Sequence, residues 1–216
     1  MKGASIIAED YLKCIHEYME LQGYATLTDI ANILGTARQT VFDEINILID
    51  RNQVERIDKG RYRLTEIGTR EAMKFLRKHR VAEILLWKGL GITWSELDDQ
   101  AMGIEHGMTE TIIQKVCHNY GCLKCPHGNY VPDEKGVAAE PEDFKITDFS
   151  QPRKVSLSRV VFESPEILRF LEGNSILPGR EITILNSNSI YLSDSIEPLN
   201  VPDIFFGALR FSKSDS

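Results

Sequence analysis

Two short amphipathic helices, a glycine turn and a hairpin with a basic tip follow one another within 40-odd residues, and few folds accept that succession. Thr28-Asp29 is positioned to cap a short helix, Asp29–Leu34, which ends at Gly35. Thr36 then starts a second helix whose apolar positions are Val41, Ile45, Leu48 and Ile49, with Arg38, Gln39, Asp43 and Asn46 on the opposite face. Val54, Arg56 and Ile57 lead into Asp58-Lys59-Gly60-Arg61, and Tyr62 and Leu64 alternate after it. This reads as a winged helix-turn-helix, an element that binds DNA. Charge agrees: residues 36–80 carry a net +4, whereas residues 1–35 carry −3 and residues 81–216 carry −8 in a chain of net charge −7. A basic segment inside an acidic chain suits one face turned to phosphate, not a nonspecific nucleic-acid coat.

The flanks are helical and then β. Ile7, Tyr11, Cys14, Ile15, Tyr18 and Met19 recur at helical spacing, so residues 6–21 form an amphipathic first helix closed by Gly23. A long helix is expected from Glu66 to Trp87, with Met73, Leu76, Val81 and Leu85 inward. Thr93 or Ser95 can cap another, through about Gly107, and Thr109 a third, to about His118. Three helices this rich in Leu, Ile and Met suggest a dimerisation unit. The Pro-, Gly- and acid-rich stretch after residue 132 reads as a linker. Beyond it VSLSRVVF, EITIL, SIYLS and FFGALRF alternate as strands of a small β-barrel, broken by Pro178-Gly179 and Asn186–Asn188. One helix, Pro165–Leu171, interrupts them, with Ser164 as cap and Pro165 at its first position. The fold class is mainly α with a small β domain. Its expected parts are residues 1–72 (winged helix-turn-helix), 73–132 (helical), 133–149 (linker) and 150–216 (β-barrel).

No run approaches the roughly 18 apolar residues that span a bilayer. The amino terminus turns acidic after two apolar residues, unlike a signal peptide, so a cytoplasmic location is expected. Cys14, Cys117, Cys122 and Cys125 are then expected to be thiols or ligands and not disulfides.

Ionisable residues recur within the apolar helices. His79 and Glu83 stand at i, i+4, and Asp98, Met102, Glu105 and His106 at i, i+4, i+7 and i+8 of the next helix, each set forming one stripe. Carboxylate, imidazole and thioether converging from two helices suit a divalent transition metal, although such stripes are more often solvated faces. His118-x3-Cys122-x2-Cys125-x-His127 also has zinc-like spacing.

Glu9-Asp10-Tyr11-Leu12, Thr65-Glu66-Ile67-Gly68, Arg77-Lys78-His79-Arg80-Val81-Ala82-Glu83, Gly103-Ile104-Glu105-His106 and Cys125-Pro126-His127-Gly128-Asn129 stand in order along the chain. In these blocks the sequence resembles the diphtheria-toxin-repressor family of iron- and manganese-dependent regulators, over almost its whole length. The resemblance implies that the barrel is SH3-like. It implies a primary metal site of Asp10, Met102, Glu105 and His106, and an ancillary site of His79, Glu83 and Asp98 completed by Glu163 and Glu166. It makes Cys125-Pro126-His127-Gly128-Asn129 a structural turn in preference to a zinc site. Iron-type members have Met and Cys where Asp10 and Met102 stand, and manganese-type members have an acid at both. This chain mixes one hard and one soft ligand. A thioether has little affinity for Mn²⁺, lowest in the divalent series, so Fe²⁺ is favoured, with Mn²⁺ the alternative and Zn²⁺, Co²⁺ or Ni²⁺ as substitutes in vitro. Asp98, where iron-type members have His, makes an oxygen-rich ancillary site.

Thr36, Ala37, Arg38, Gln39, Thr40 and Asp43 begin the recognition helix, where Arg reads guanine and Gln reads adenine. Lys59 and Arg61 on the wing are placed to hold phosphate. The whole reading is a metal-activated homodimeric repressor of metal-uptake and homeostasis genes, bound to a palindromic double-stranded operator. It is not an enzyme, since no nucleophile or oxyanion arrangement accompanies the ligands of a hydrolase, and it has no membrane segment. The alternatives are a winged-helix regulator sensing a small organic ligand, and a metal-binding protein without sequence-selective DNA binding.

Overall fold

The computed structural model describes residues 2–146, 152–186 and 189–213, with side chains from Ala8 onward. The Ile7 side chain, the end of the expected linker and the start of the expected β-barrel at 147–151, and positions 187–188 of the Asn186–Asn188 break lie outside these. The chain divides into two compact units. One runs through His79 and includes Val131–Ala139; the other joins Arg80–Tyr130 to the chain from Glu140 onward.

In the first unit, α1 (Lys2–Gln22) is followed by α2 (Leu27–Leu34) and α3 (Arg38–Asp50). The cap of α2 is Thr26, not Thr28-Asp29. Its hydroxyl accepts the Asp29 N–H while the Asp29 carboxylate accepts the Thr26 N–H, a reciprocal capping box. Gly35 ends α2 at φ 59°, the left-handed geometry that glycine adopts without a Cβ penalty. α3 starts at Arg38, with Ala37 as an N-cap that has no side-chain hydrogen bond, so Thr36 precedes the helix. The wing is β1 (Val54–Asp58) paired antiparallel with β2 (Arg61–Leu64). Ala25 exchanges both backbone hydrogen bonds with Tyr62, which holds β2 to the segment between α1 and α2. Tyr11, Ile15, Ile30, Val41, Ile45, Leu48, Tyr62 and Leu64 fill the core beneath. Each contributes about 1.5–3 kcal/mol through burial, enough to fix the recognition helix on its neighbours.

α4 (Glu66–Ile84) stops short of the expected Trp87 and gives way to a π-helical turn over Leu85–Gly89. Of its expected inward residues, Leu76 and Val81 are buried, while Met73 and Leu85 are only partly so. In the second unit a 3-10 turn, Trp94–Glu96, runs into α5 (Leu97–Met102), and α6 (Glu110–Tyr120) is capped by Thr109 as expected. The expected helix through Gly107 is broken. Gly103 N–H bonds to Gln100 and Ile104 N–H to Ala101, so the spiral tightens and stops, and Glu105–Gly107 form a separate 3-10 turn. Asp98, Met102, Glu105 and His106 therefore do not share one helical stripe.

The chain continues through β3 (Arg153–Val160), α7 (Pro165–Gly173), β4 (Glu181–Asn186), β5 (Ser189–Tyr191), β6 (Leu199–Asn200), α8 (Asp203–Ala208) and β7 (Leu209–Lys213). The strands form an antiparallel sheet ordered β6-β5-β4-β3-β7. Ser164 caps α7 with Pro165 in its first turn, as expected. The FFGALRF segment departs from expectation: Phe205 and Phe206 are helical and buried in α8, and only Leu209 onward is strand. Two adjacent phenylalanines can both face inward only where the backbone is not alternating.

The cysteines also depart from expectation. Cys117 and Cys122 form a disulfide, while Cys14 and Cys125 are buried thiols. Gly121, at φ 75°, reverses the chain after α6 and brings the two Cα atoms to 4.9 Å, within bridging distance. An argument from compartment alone carries no information about that proximity.

Candidate metal centre and nucleic-acid face

In the second unit, Glu83 near the end of α4, Cys125 and His127 in the Cys-Pro-His-Gly-Asn turn, and Glu163 just after β3 bring their ligand atoms within 4.8 Å of one another. His127 Nδ1 lies 2.6 Å from Glu83 Oε1 and 2.8 Å from Glu163 Oε2. Its Nε2 faces the Trp94 carbonyl at 3.1 Å. A carbonyl only accepts, so Nε2 carries a proton, and Nδ1 is the nitrogen turned to the carboxylates. That backbone partner fixes ring orientation as it does around metal-bound histidines.

The turn is built for this. Cys125 N–H bonds to Asn129 O, Gly128 N–H to Cys125 O, and Val160 N–H to His127 O. Asn129 Nδ2 donates to Val160 O at 2.7 Å and to Glu163 Oε1 at 2.8 Å, aiming the other carboxylate oxygen at His127. Gly128 sits at φ 90°, and a Cβ there would meet Ser158 O at 2.2 Å. No other residue fits.

Three acidic side chains and one imidazole are thus gathered out of water, and their proton affinities respond. Burial pushes the Cys125 thiol well up, reinforced by Glu83 and Glu163. Burial also raises Glu163, and Glu83 adds to it. For His127, burial favours the neutral ring, but Glu163 and Glu83 outweigh it and hold its pKa well above the usual value. Every shift retains a proton, as expected where buried acids stand together and positive charge is scarce. The N, S, O, O chemistry suits a divalent ion.

The expected site residues divide accordingly. Glu83 and Glu163 join this centre, and Cys125 and His127, read from the sequence as a structural turn, join with them. The donors around Glu83 and Glu163 thus include sulfur and a further imidazole. The zinc-like set is not assembled: Cys122 is bonded to Cys117, and His118 is exposed. Glu166 is exposed in the first turn of α7, and Asp98 is half-buried in that of α5. His79 is buried on α4, with the Lys13 ammonium 3.2 Å from its Nδ1. A cation captured by that nitrogen has to displace the ammonium. Asp10 is half-buried on α1, Met102 is 44% exposed at the end of α5, and Glu105 is buried beside the more exposed His106, whose Nε2 is 4.0 Å from Glu105 Oε1. The missed residues left one signal: Cys and His two apart in a turn that also needs glycine.

The candidate nucleic-acid face lies in the first unit. Ala37, Arg38, Gln39, Thr40 and Asp43 are exposed and Thr36 half-exposed, beside the buried Val41 that anchors α3. Gln39 Nε2 donates to Asp43 Oδ1 at 3.0 Å, which orients the amide one helical turn before the acid. Lys59 and Arg61 are exposed at the hairpin tip, where the Arg61 guanidinium lies 4.4 Å above the Tyr24 ring and 3.4 Å from Asp58. Exposure with partial anchoring leaves both cations available to phosphate.

Residues 65–133 match the family model described as the iron dependent repressor, metal binding and dimerisation domain. The iron-dependent repressor IdeR of Mycobacterium bovis is 34% identical over 140 residues, which are 62% of this chain and 59% of that protein, so the match spans less than two thirds of that relative. The diphtheria toxin repressor of Corynebacterium diphtheriae is 29% identical over 230 residues, covering 99% of this chain and 100% of that one. The crystal structure of T. acidophilum IdeR superposes with a TM-score of 0.91 at 43% identity, covering 95% of this chain and 97% of that one. A manganese-dependent transcriptional repressor in complex with manganese shares the fold at a TM-score of 0.82 and 22% identity, over 96% of this chain and 100% of that one. With a winged helix-turn-helix, a buried acid, imidazole and thiol centre, and a full-length likeness at 43% identity, the chain belongs to the family of iron- and manganese-dependent repressors that includes IdeR and the diphtheria toxin repressor.

Proposed function

We propose that this chain is a metal-activated homodimeric repressor that binds palindromic operators of metal-uptake and homeostasis genes, with Fe²⁺ as the activating ion. The buried meeting of Glu83, Cys125, His127 and Glu163 carries the reading, because an acid-rich centre withdrawn from water serves a cation-binding protein and costs any other protein stability. Bound metal supplies the positive charge that lets these acids stand ionised together. His127 offers Nδ1 because Trp94 holds Nε2–H, and Asn129 keeps Glu163 turned inward. A thiolate and an imidazole among the donors favour Fe²⁺ over Mn²⁺, which prefers oxygen.

The primary set is proposed from the resemblance. Asp10 on α1 would share its ion with Met102, Glu105 and His106, so that loading holds the recognition helices of a dimer at the spacing of about one DNA turn that a palindrome demands. Ligands of the metal-free protein repel one another, and the equilibrium shifts only by the metal's differential affinity for the held form. A hundredfold difference is about 2.7 kcal/mol. His79, Asp98 and Glu166 complete the proposed ancillary ligands, with Lys13 to be displaced from His79. The dimer is supported by the family model's description as a dimerisation domain, and the operator by the relatives' names as repressors.

The test is operator binding by gel shift with Fe²⁺, Mn²⁺ or a chelator, for the parent chain and for Glu105→Ala and His106→Ala. Metal-dependent binding is expected in the parent and lost in both variants, while dimerisation survives. Equal binding with metal and with chelator would mean that this chain senses something else.

A further inference from the structure

We infer that Glu172, reaching from the last turn of α7, is a positioning residue that sets the Trp94 peptide and through it the ring of His127. The inference rests on the reading of Glu83, Cys125, His127 and Glu163 as a metal centre. Its residues all lie in the second unit, and Glu172 itself is no part of that centre.

The helix beginning at Trp94 has no cap of its own, because the Thr93 side chain makes no hydrogen bond to it. Helix starts leave N–H groups unsatisfied. Glu172 supplies both oxygens. Its Oε1 accepts the Trp94 N–H at 3.1 Å and its Oε2 accepts the Ser95 hydroxyl at 2.6 Å. Trp94 and Ser95 are both buried, so neither donor has water as a substitute.

From Trp94, three interactions reach the Cys125-Pro126-His127 turn. The Trp94 carbonyl accepts His127 Nε2–H, the indole Nε1–H donates to the Pro126 carbonyl at 3.0 Å, and the Trp94 and His127 rings meet edge to face at 4.6 Å. One carboxylate therefore holds the peptide whose carbonyl accepts His127 Nε2–H, and that hydrogen bond turns Nδ1 toward Glu83 and Glu163. The same carboxylate starts the helix that continues as α5. Sequence alone assigns this cap to Thr93 or Ser95; the tertiary fold assigns it to a residue more than 70 positions later.

The test uses Co²⁺ as the probe on the full chain, following the thiolate-to-Co²⁺ charge-transfer band by titration against a chromophoric chelator. In parallel, the His127 ring nitrogens are observed by NMR in the metal-free protein. Substituting partners of metal-bound histidines typically costs about 10–100-fold in affinity. Glu172→Ala is expected to weaken Co²⁺ by that factor and to shift the His127 Nε2–H signal away from its hydrogen-bonded position. Glu172→Gln, which retains an acceptor for Trp94 N–H, is expected to recover most of both. Ser95→Ala removes one partner of Glu172 without touching Trp94, and a small effect of the same sign is expected. Parent-like affinity and unchanged His127 signals in Glu172→Ala would overturn the inference. Cys125→Ser separates the two claims: if it keeps the full band, the metal-centre reading has failed. In that case the metal-free ring signals of Glu172→Ala still decide whether Glu172 positions His127.

Discussion

The proposed metal centre and the proposed DNA-reading face solve opposite problems. Glu83 and His127 are buried, and His127 depends for its orientation on partners 33 or more positions away in sequence. Arg38, Gln39, Thr40 and Asp43 are exposed, lie within one and a half helical turns, and owe their direction to α3 alone. A metal site gains from the loss of water, because desolvation makes unpaired acids seek a cation. A DNA-reading surface must keep its donors in water until bases and phosphates replace that water. Substitution should therefore act in an all-or-none manner at the first region and in graded steps at the second.

The largest expected effect is at the centre. His127→Ala and Cys125→Ser should each lose one metal equivalent per chain by elemental analysis, with the fold retained by circular dichroism in the metal-loaded protein. A variant that keeps its full metal content would break the contrast, since the buried cluster would then be merely structural.

A pH scan comes next. The pKa values of His127 and Glu163 are both raised on folding, so the metal-free folded chain binds more protons than the unfolded one. Stability from these groups is complete below their unfolded values and lost as pH rises through the folded values. Thermal melts of the metal-free protein should therefore fall as pH rises from the carboxylate range through that of histidine, and saturating metal should flatten or reverse the trend. A metal-free melt that rises with pH over this range would be evidence against protons standing in for the ion.

At the recognition helix, Arg38→Ala and Gln39→Ala should each cost about 1–3 kcal/mol of discrimination at one base position, read by binding to single-base operator variants, with metal content unchanged. The wing should give the smallest effect. Lys59→Ala or Arg61→Ala should weaken all sequences alike and lower the salt slope by about 0.9 for each phosphate no longer neutralised. Sequence-dependent losses there would move the wing from anchoring to reading.

Much of the architecture was legible because it is local. Periodicity located the helices of the first unit and the hairpin, Gly35 marked the end of α2, and Ser164 with Pro165 marked the start of α7. Local reasoning failed where two local signals compete. Thr26 took the cap from Thr28 because it pairs reciprocally with Asp29. The run after α5 broke at Gly103 and resumed as a separate 3-10 turn at Glu105, which separated Met102 from Glu105. Phe205 and Phe206 followed the core into α8 although their composition suits a strand.

The sequence by itself determined the winged helix-turn-helix, the family, and the presence of metal-binding chemistry on and near α4 and α5. Those follow from residue types at short spacing, which local backbone geometry converts directly into faces. Only the tertiary structure decided that Cys125 and His127 stand with Glu83 and Glu163, and that Glu172 caps the helix starting at Trp94. These pairings join segments brought together by packing of the sheet, α7 and the Cys-Pro-His-Gly-Asn turn. The free energy that selects them comes from burying the whole unit and satisfying its buried polar groups together, and no short window of sequence contains it.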